Sequence, residues 1–281
     1  MNKRFPYLII ISEGLIIISI FFCPLNHFCF KLKFMNATLS SLTLAQIVNN
    51  NHKAASVFEK YHLDFCCKGK RSLAQACAEQ QLSMLQVTGD LENIFTKGND
   101  GTTIDFEKMN LIQLSDYIVQ AHHAYVKSEM PQIYAYLQKV SSKHGDRHPE
   151  LYKIFETFAA IKEEMEGHMK KEELILFPRI KELQKLADNE NTNSQLNITY
   201  LQSPITVMEQ EHDHAGNLLN EIRILSNDYT PPQDACTTYR LSFAALQAFE
   251  LDLHQHVHLE NNILFPKSIS LFKNLQTTVL N

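Results

Sequence analysis

Tryptophan is absent from this 281-residue chain, and glycine (8) and proline (9) are sparse. A β-rich fold draws heavily on turn residues, so their scarcity points to a helical protein. Charge of either sign is also modest. The net charge is −5 with no basic patch, which excludes nucleic acid as an expected partner. Of the six cysteines, Cys23 and Cys29 lie in an unusual N-terminal stretch. The other four, Cys66, Cys67, Cys77 and Cys236, lack the spacing of a secreted disulfide framework. Reduced thiols and a cytoplasmic location are the expectation. What the chain has in abundance is histidine, thirteen in all. Its length suits one substantial core with a second, smaller unit.

Residues 1–34 stand apart. Phe5 to Cys23 is strongly apolar, is broken by Glu13 and Gly14, and has Lys3-Arg4 before it and Lys31 and Lys33 after it. A membrane helix needs ~20 mostly apolar residues, so the length suffices. The central Glu13 is costly there, and the balanced flanking charges specify no orientation. No small-residue cleavage site follows, which disfavours a secretory signal. The preferred reading takes Met35 as the start and residues 1–34 as an upstream region, with a membrane anchor second.

Residues 35–95 read as a small helical unit. Ser41 to Val48 leads into one helix, Ala54 to Tyr61 makes another, and Ser72 caps a third that runs to about Gln80. Between the last two lies Asp64-Phe65-Cys66-Cys67-Lys68-Gly69-Lys70-Arg71. Residues 96–104 form a linker, clearest at Thr96–Thr102. Residues 105–275 are expected to form an all-α four-helix bundle, with helices near Glu107–Ser141, His148–Ala187, Pro204–Ser226 and Pro231–Leu271. Asn189 to Ser203 reads as a loop. Pro131, Pro178 and Pro266 should each kink or end a helix.

Two stretches of the bundle nearly repeat. His168-Met169-Lys170-Lys171-Glu172 runs on to Ile175-Leu176-Phe177-Pro178, and His256-Val257-His258-Leu259-Glu260 runs on to Ile263-Leu264-Phe265-Pro266. A further histidine, near 123 in one case and His212 in the other, precedes each copy at a similar distance. Residues i and i+4 share a helix face ~6 Å apart, so each pair can aim an imidazole and a carboxylate at one locus. Facing copies would let both carboxylates bridge two metals, with imidazoles outside. Zinc usually settles for four tetrahedral ligands, whereas imidazole with bridging carboxylate also suits iron, with an oxo or hydroxo bridge and open positions for a small ligand. Some choices stay open at this level. Ile112, Ser115, Val119, His123, Val126 and Met130 make one stripe; Leu111, Leu114, Ile118, His122 and Tyr125 make another. Spacing does not choose between His122 and His123. Glu260 favours His256 over His254 and His258, which read as solvated or supporting residues.

From Thr38 to Ile269 the chain resembles the iron–sulfur cluster repair di-iron proteins, which pair a double-cysteine domain with a hemerythrin-like bundle. The marks are Asp64 through Lys70, His144-Gly145-Asp146-Arg147-His148-Pro149, His168 through Glu173, Val207 through Asp213, and His256 through Pro266. The resemblance implies two iron ions on His123, His168, Glu172, His212, His256 and Glu260, and so selects His123 over His122. It also implies restoration of clusters damaged by nitric oxide or peroxide, by iron donation. Partners would be damaged iron–sulfur proteins or a cluster-assembly scaffold, with nitric oxide or oxygen as small ligands. A hemerythrin-like sensor or carrier, or a nitric oxide reductase, is the alternative. Residues 1–34 have no counterpart in the family pattern. Cys66 and Cys67 are the candidate redox or iron-handling pair; Lys68, Lys70 and Arg71 are expected to lower their thiol pKa, with Asp64 opposing that effect somewhat.

Overall fold

The computed structural model describes residues 39–96, 104–188 and 199–279. The apolar leader and most of the Thr96–Thr102 linker lie outside those residues. Every regular element among the described residues is helical, joined by a single isolated bridge between Thr43 and Ser72. None of these helices is long and apolar enough to cross a membrane.

The small unit comprises α1 (Leu44–Asn50), α2 (Ala54–Lys60), α3 (Leu73–Glu79) and α4 (Met84–Thr96). Thr43 and Ser72 each close a capping box, with Gln46 and Gln75 respectively, so both helices start with their first amides satisfied. Backbone bonds from Leu44 to Arg71 and from Ala45 to Gly69 tie the cysteine loop to the start of α1.

The bundle holds α5 (Leu111–Ile118), α6 (Ala124–His144), α7 (Glu150–Lys171), α8 (Phe177–Asp188), α9 (Thr199–Leu225), α10 (Thr237–Leu259) and α11 (Phe265–Val279). Three π turns join six of these into three long rods: Val119–His123, Glu172–Leu176 and Glu260–Leu264. With α9 they make four. α6 packs on α7 and α10, and α7 packs on α9.

The ends differ from the sequence expectation for local reasons. The first rod begins at Leu111 rather than Glu107, because Asn110 and Gln113 close a capping box there. α9 begins at Thr199, so Pro204 lies inside a helix and residues 199–203 are not loop. α10 begins at Thr237 after an extended Cys236, not at Pro231. None of the three suspected prolines ends its rod. Pro131 sits inside α6, while Pro178 and Pro266 are each the second residue of a helix that follows a π turn.

The two units share one apolar core, in which Phe58 and Phe65 join Phe158, Phe249 and Leu253. A second apolar cluster, including Ile118, Phe177, Met208 and Phe265, fills the other end of the bundle. Polar contacts fasten the small unit to the bundle. His254 Nδ1 meets Glu59 Oε1 at 2.7 Å, and His258 Nε2 meets Asn49 Oδ1 at 2.9 Å. Asn262 donates to the Cys66 carbonyl at 2.8 Å. His254 and His258 are thus docking residues rather than solvated ones.

Candidate metal centre

Between the two apolar clusters lies a polar layer. His123, Glu172, His256 and Glu260 form one buried group, and His168, Glu172, His212 and Glu260 form another, each with its ligand atoms within 4.8 Å of one another. Both carboxylates belong to both groups. His123 Nε2 and His168 Nε2 each lie 3.3 Å from Glu172 Oε2. His212 Nε2 and His256 Nε2 each lie 3.1 Å from Glu260. The imidazoles also face each other pairwise, at 3.2 Å for His123–His256 and 3.0 Å for His168–His212.

The π turns help to set this layer. Glu172 and Glu260 open theirs, and His123 closes its own. Outside the layer, three imidazoles are braced through Nδ1: His123 by Glu173 at 2.7 Å, His168 by Glu211 at 2.8 Å, and His212 by Asn261 at 2.9 Å. Those partners are acceptors, so Nδ1 carries the proton and a bare Nε2 can turn inward, the arrangement of a metal-ligating histidine. Lys127 and Lys171 in turn hold Glu173 and Glu211.

The donor set fits two metal ions. Both oxygens of Glu172, with Glu260 Oε2 and His256 Nδ1, are buried without a hydrogen bond of normal geometry. Leaving buried carboxylate oxygens so is costly unless a cation meets them. Two imidazoles and two shared carboxylates per ion form the mixed nitrogen and oxygen set that iron accepts. Charge compensation is visible in the protons as well. Burial and the neighbouring Glu260 push the Glu172 carboxyl up, yet His168 and His123 hold it below its ordinary value. Burial likewise opposes ionisation of Glu260, but His256 and His212 hold it well below. Burial disfavours a proton on His168, but Glu172 and Glu260 outweigh that and raise it to about 9. For His256 burial prevails over Glu260, and the imidazole is lowered.

His122, which periodicity could not separate from His123, is also buried but belongs to neither group; its Nδ1 meets Asp252 Oδ1 at 2.9 Å. His214 is exposed beside Glu164. Glu173, Glu211 and Asn261 were not anticipated as braces. The repeat carried a signal for two of them, since Glu173 follows Glu172 as Asn261 follows Glu260.

Cys66 and Cys67 are free thiols whose sulfurs lie 3.9 Å apart. Asp64 Oδ1 lies 3.3 Å from Cys66 Sγ and accepts the Cys67 amide at 2.9 Å. The Cys67 thiol, burial and Asp64 together push the Cys66 thiol well above its usual pKa. This reverses the lowering expected for Cys66 from its basic neighbours. Arg71 is engaged by Glu79, Lys70 lies 3.6 Å from Glu209, and Lys68 is exposed. The pair is nonetheless close to the bundle. Cys67 Sγ rests 3.9 Å from where a Cβ on Gly216 would stand, one turn beyond His212 in α9.

Residues 115–268 match the hemerythrin HHE cation binding domain, and residues 40–94 match a domain of unknown function, DUF542. The chain is 32% identical over 227 residues to the iron-sulfur cluster repair protein YtfE of Escherichia coli O157:H7, covering 81% of this chain and 96% of that protein. The same identity and coverage hold for the proteins of that name from Shigella boydii serotype 4 and Escherichia fergusonii. With both units matched in order, at this identity and over nearly the whole length of those relatives, the chain belongs to the hemerythrin-type iron–sulfur cluster repair protein family.

Proposed function

We propose that this protein restores iron–sulfur clusters damaged by nitrosative or oxidative stress, by giving up iron held at the His/Glu layer of its bundle. The observation that carries this reading is the pair of carboxylates, Glu172 and Glu260, shared by two buried imidazole pairs. His123 and His256 would hold one ion and His168 and His212 the other, with Glu172 and Glu260 available to both. Bound there, the iron pair supplies a store of metal within reach of an acceptor. Fe²⁺ stands low in the affinity order of divalent metals, which suits a site that must release what it holds. Glu173, Glu211 and Asn261 fix the ring orientations, and the apolar clusters on either side keep bulk water from the layer. Cys66 and Cys67, on the small unit and against α9, serve as the hand-over or redox pair. Damaged iron–sulfur proteins or a cluster-assembly scaffold are the partners.

The test is anaerobic reactivation of a cluster enzyme damaged by nitric oxide. The iron-loaded protein is compared with an equal amount of free ferrous iron. Faster or more complete recovery with the loaded protein is expected. Equal recovery in both arms would remove the donor role. Glu172→Leu and Glu260→Leu should lose the spectroscopic coupling of the iron pair while helicity survives; retained coupling in both would refute the shared role of the two carboxylates.

A further inference from the structure

The two halves of the metal layer are related by a near two-fold pattern, with Glu173 and Asn261 as corresponding braces, and one brace is missing from it. His212 is preceded by Glu211, which braces His168 across the bundle. His123 is preceded instead by His122, which lies flat against His256 with ring centroids 5.7 Å apart and planes within 9°. His256 is therefore the one imidazole of the four whose Nδ1 is buried without a partner. A metal-ligating histidine normally gives its second nitrogen to an acceptor, and losing that brace typically weakens metal affinity about 10–100-fold. The His123/His256 side is the looser one.

His122 has what His256 lacks. Its Nδ1 is held by Asp252 at 2.9 Å, and among the described residues no hydrogen bond engages its Nε2. That is the carboxylate–histidine arrangement of a metal ligand. His122 also lines a cavity of roughly 370 Å³ between the bundle and the small unit. Tyr117 and Gln255 line it from the bundle side, and Asn49, His52 and Phe65 from the other. Gln255 is exposed and His52 half-buried, so the cavity reaches solvent.

We infer that His122, braced by Asp252, is a transfer ligand that takes a divalent metal ion from the His123/His256 pocket into the interdomain cavity. The inference rests on the donor reading above and identifies which of the two ions leaves and by what route. The exchange is of ligands only: His122 Nε2 replaces His256 Nε2 as donor, and the oxidation state of the ion is unchanged. Asp252 offsets part of the added charge.

The experiment follows iron leaving the full chain. Protein loaded anaerobically with Fe²⁺ is first assayed for iron content, then mixed with excess ferrozine, and the coloured complex is followed in time. The unmodified protein should release its two irons in a fast and a slow phase of equal amplitude. His122→Phe, which keeps a flat ring against His256, should still hold two irons but slow the fast phase at least about tenfold. Asp252→Asn, a near-isosteric change, should slow the same phase to a lesser degree, with the slow phase unmoved in both. One phase in the unmodified protein, or an unaltered fast phase in both variants, would overturn the inference. Loss of an iron before ferrozine is added to His122→Phe would make His122 a resident ligand and overturn the transfer role equally. A chain that never holds two irons would instead sink the donor reading, before any release is measured.

Discussion

Acid should loosen the contact between the two units through His258. This imidazole is 4% exposed, with its ring 5.5 Å from that of Phe65. Its Nε2 donates to Asn49 Oδ1 at 2.9 Å, and its Nδ1 accepts from Asn262 Nδ2 at 3.3 Å. Burial lowers its pKa from 6.5 to about 4, outweighing the Phe65 carbonyl, which lies 3.4 Å from Nδ1 and favours a proton there. In the unfolded chain the ring takes a proton at its ordinary pKa of 6.5, whereas the folded chain refuses it until about 4. Its contribution is thus fully present above pH 6.5, declines as pH falls, and is lost below about 4. A gap of roughly two to three units corresponds to about 3 kcal/mol in total, or about 1 kcal/mol per pH unit inside the window. Other groups titrate in the same range. His254 opposes the trend, because Glu59 overcomes burial and raises its pKa, so its proton favours the fold. The clean quantity is a difference: urea unfolding of metal-free protein at several pH values between 7 and 4.5, for the unmodified chain and for His258→Gln. The variant's stability should fall less steeply by about 1 kcal/mol per pH unit through the window. Parallel curves would refute the argument that burial keeps His258 neutral.

Three further outcomes are expected. Iodoacetamide at pH 7.5 should modify half-buried Cys67 well before Cys66, whose thiol is buried and raised in pKa; peptide mapping that finds Cys66 labelled first would contradict this. Asn261→Ala, which removes the acceptor of His212 Nδ1, should weaken metal binding about 10–100-fold in competition titrations without unfolding the bundle. Gly69→Ala would drive a Cβ into the Phe65 carbonyl and to within 3.0 Å of Ala45 Cβ and Asn262 Oδ1, so urea unfolding should show a loss of about 1–3 kcal/mol.

Much of the fold is legible in local signals. Ser72 is an N-cap three residues before Gln75, and the capping box forms there. The apolar residues Val126, Met130, Ile133, Leu137 and Val140 repeat at helical spacing and are all buried on α6. What could not be read were contacts between segments distant in the chain. Nothing in the sequence near Cys66 announces that Asn262 will hold its carbonyl, nearly two hundred residues away. The thiol environment is only partly of this kind, since Asp64 stands two residues from Cys66 in the sequence. Lys68, Lys70 and Arg71 are neighbours in sequence, but the fold turns them to solvent or to Glu209 and Glu79, and places Asp64 against Cys66.

The ambiguity between His122 and His123 has a definite structural cause. An α-helix closes each turn on the fourth residue, whereas a π turn closes on the fifth and so rotates everything after it by one residue. Leu111, Leu114 and Ile118 are buried before the first π turn, His123 is buried at its close, and Val126 and Met130 are buried after it. The buried face therefore steps five residues from Ile118 to His123, joining the first half of one apparent stripe to the second half of the other. A reading at constant period sees two complete stripes and cannot choose. The other two π turns carry a mark in the sequence. The amides of Phe177 and Phe265 bond the carbonyls of Glu172 and Glu260, five residues back, and each Phe is followed by proline. Pro178 and Pro266 have no N–H with which to form an α-type bond four residues back, so the wider turn before them sacrifices no such bond. The repeated Ile-Leu-Phe-Pro is therefore a signal for the turn that carries each glutamate. No proline follows Val119–His123, and that turn left no trace in the sequence.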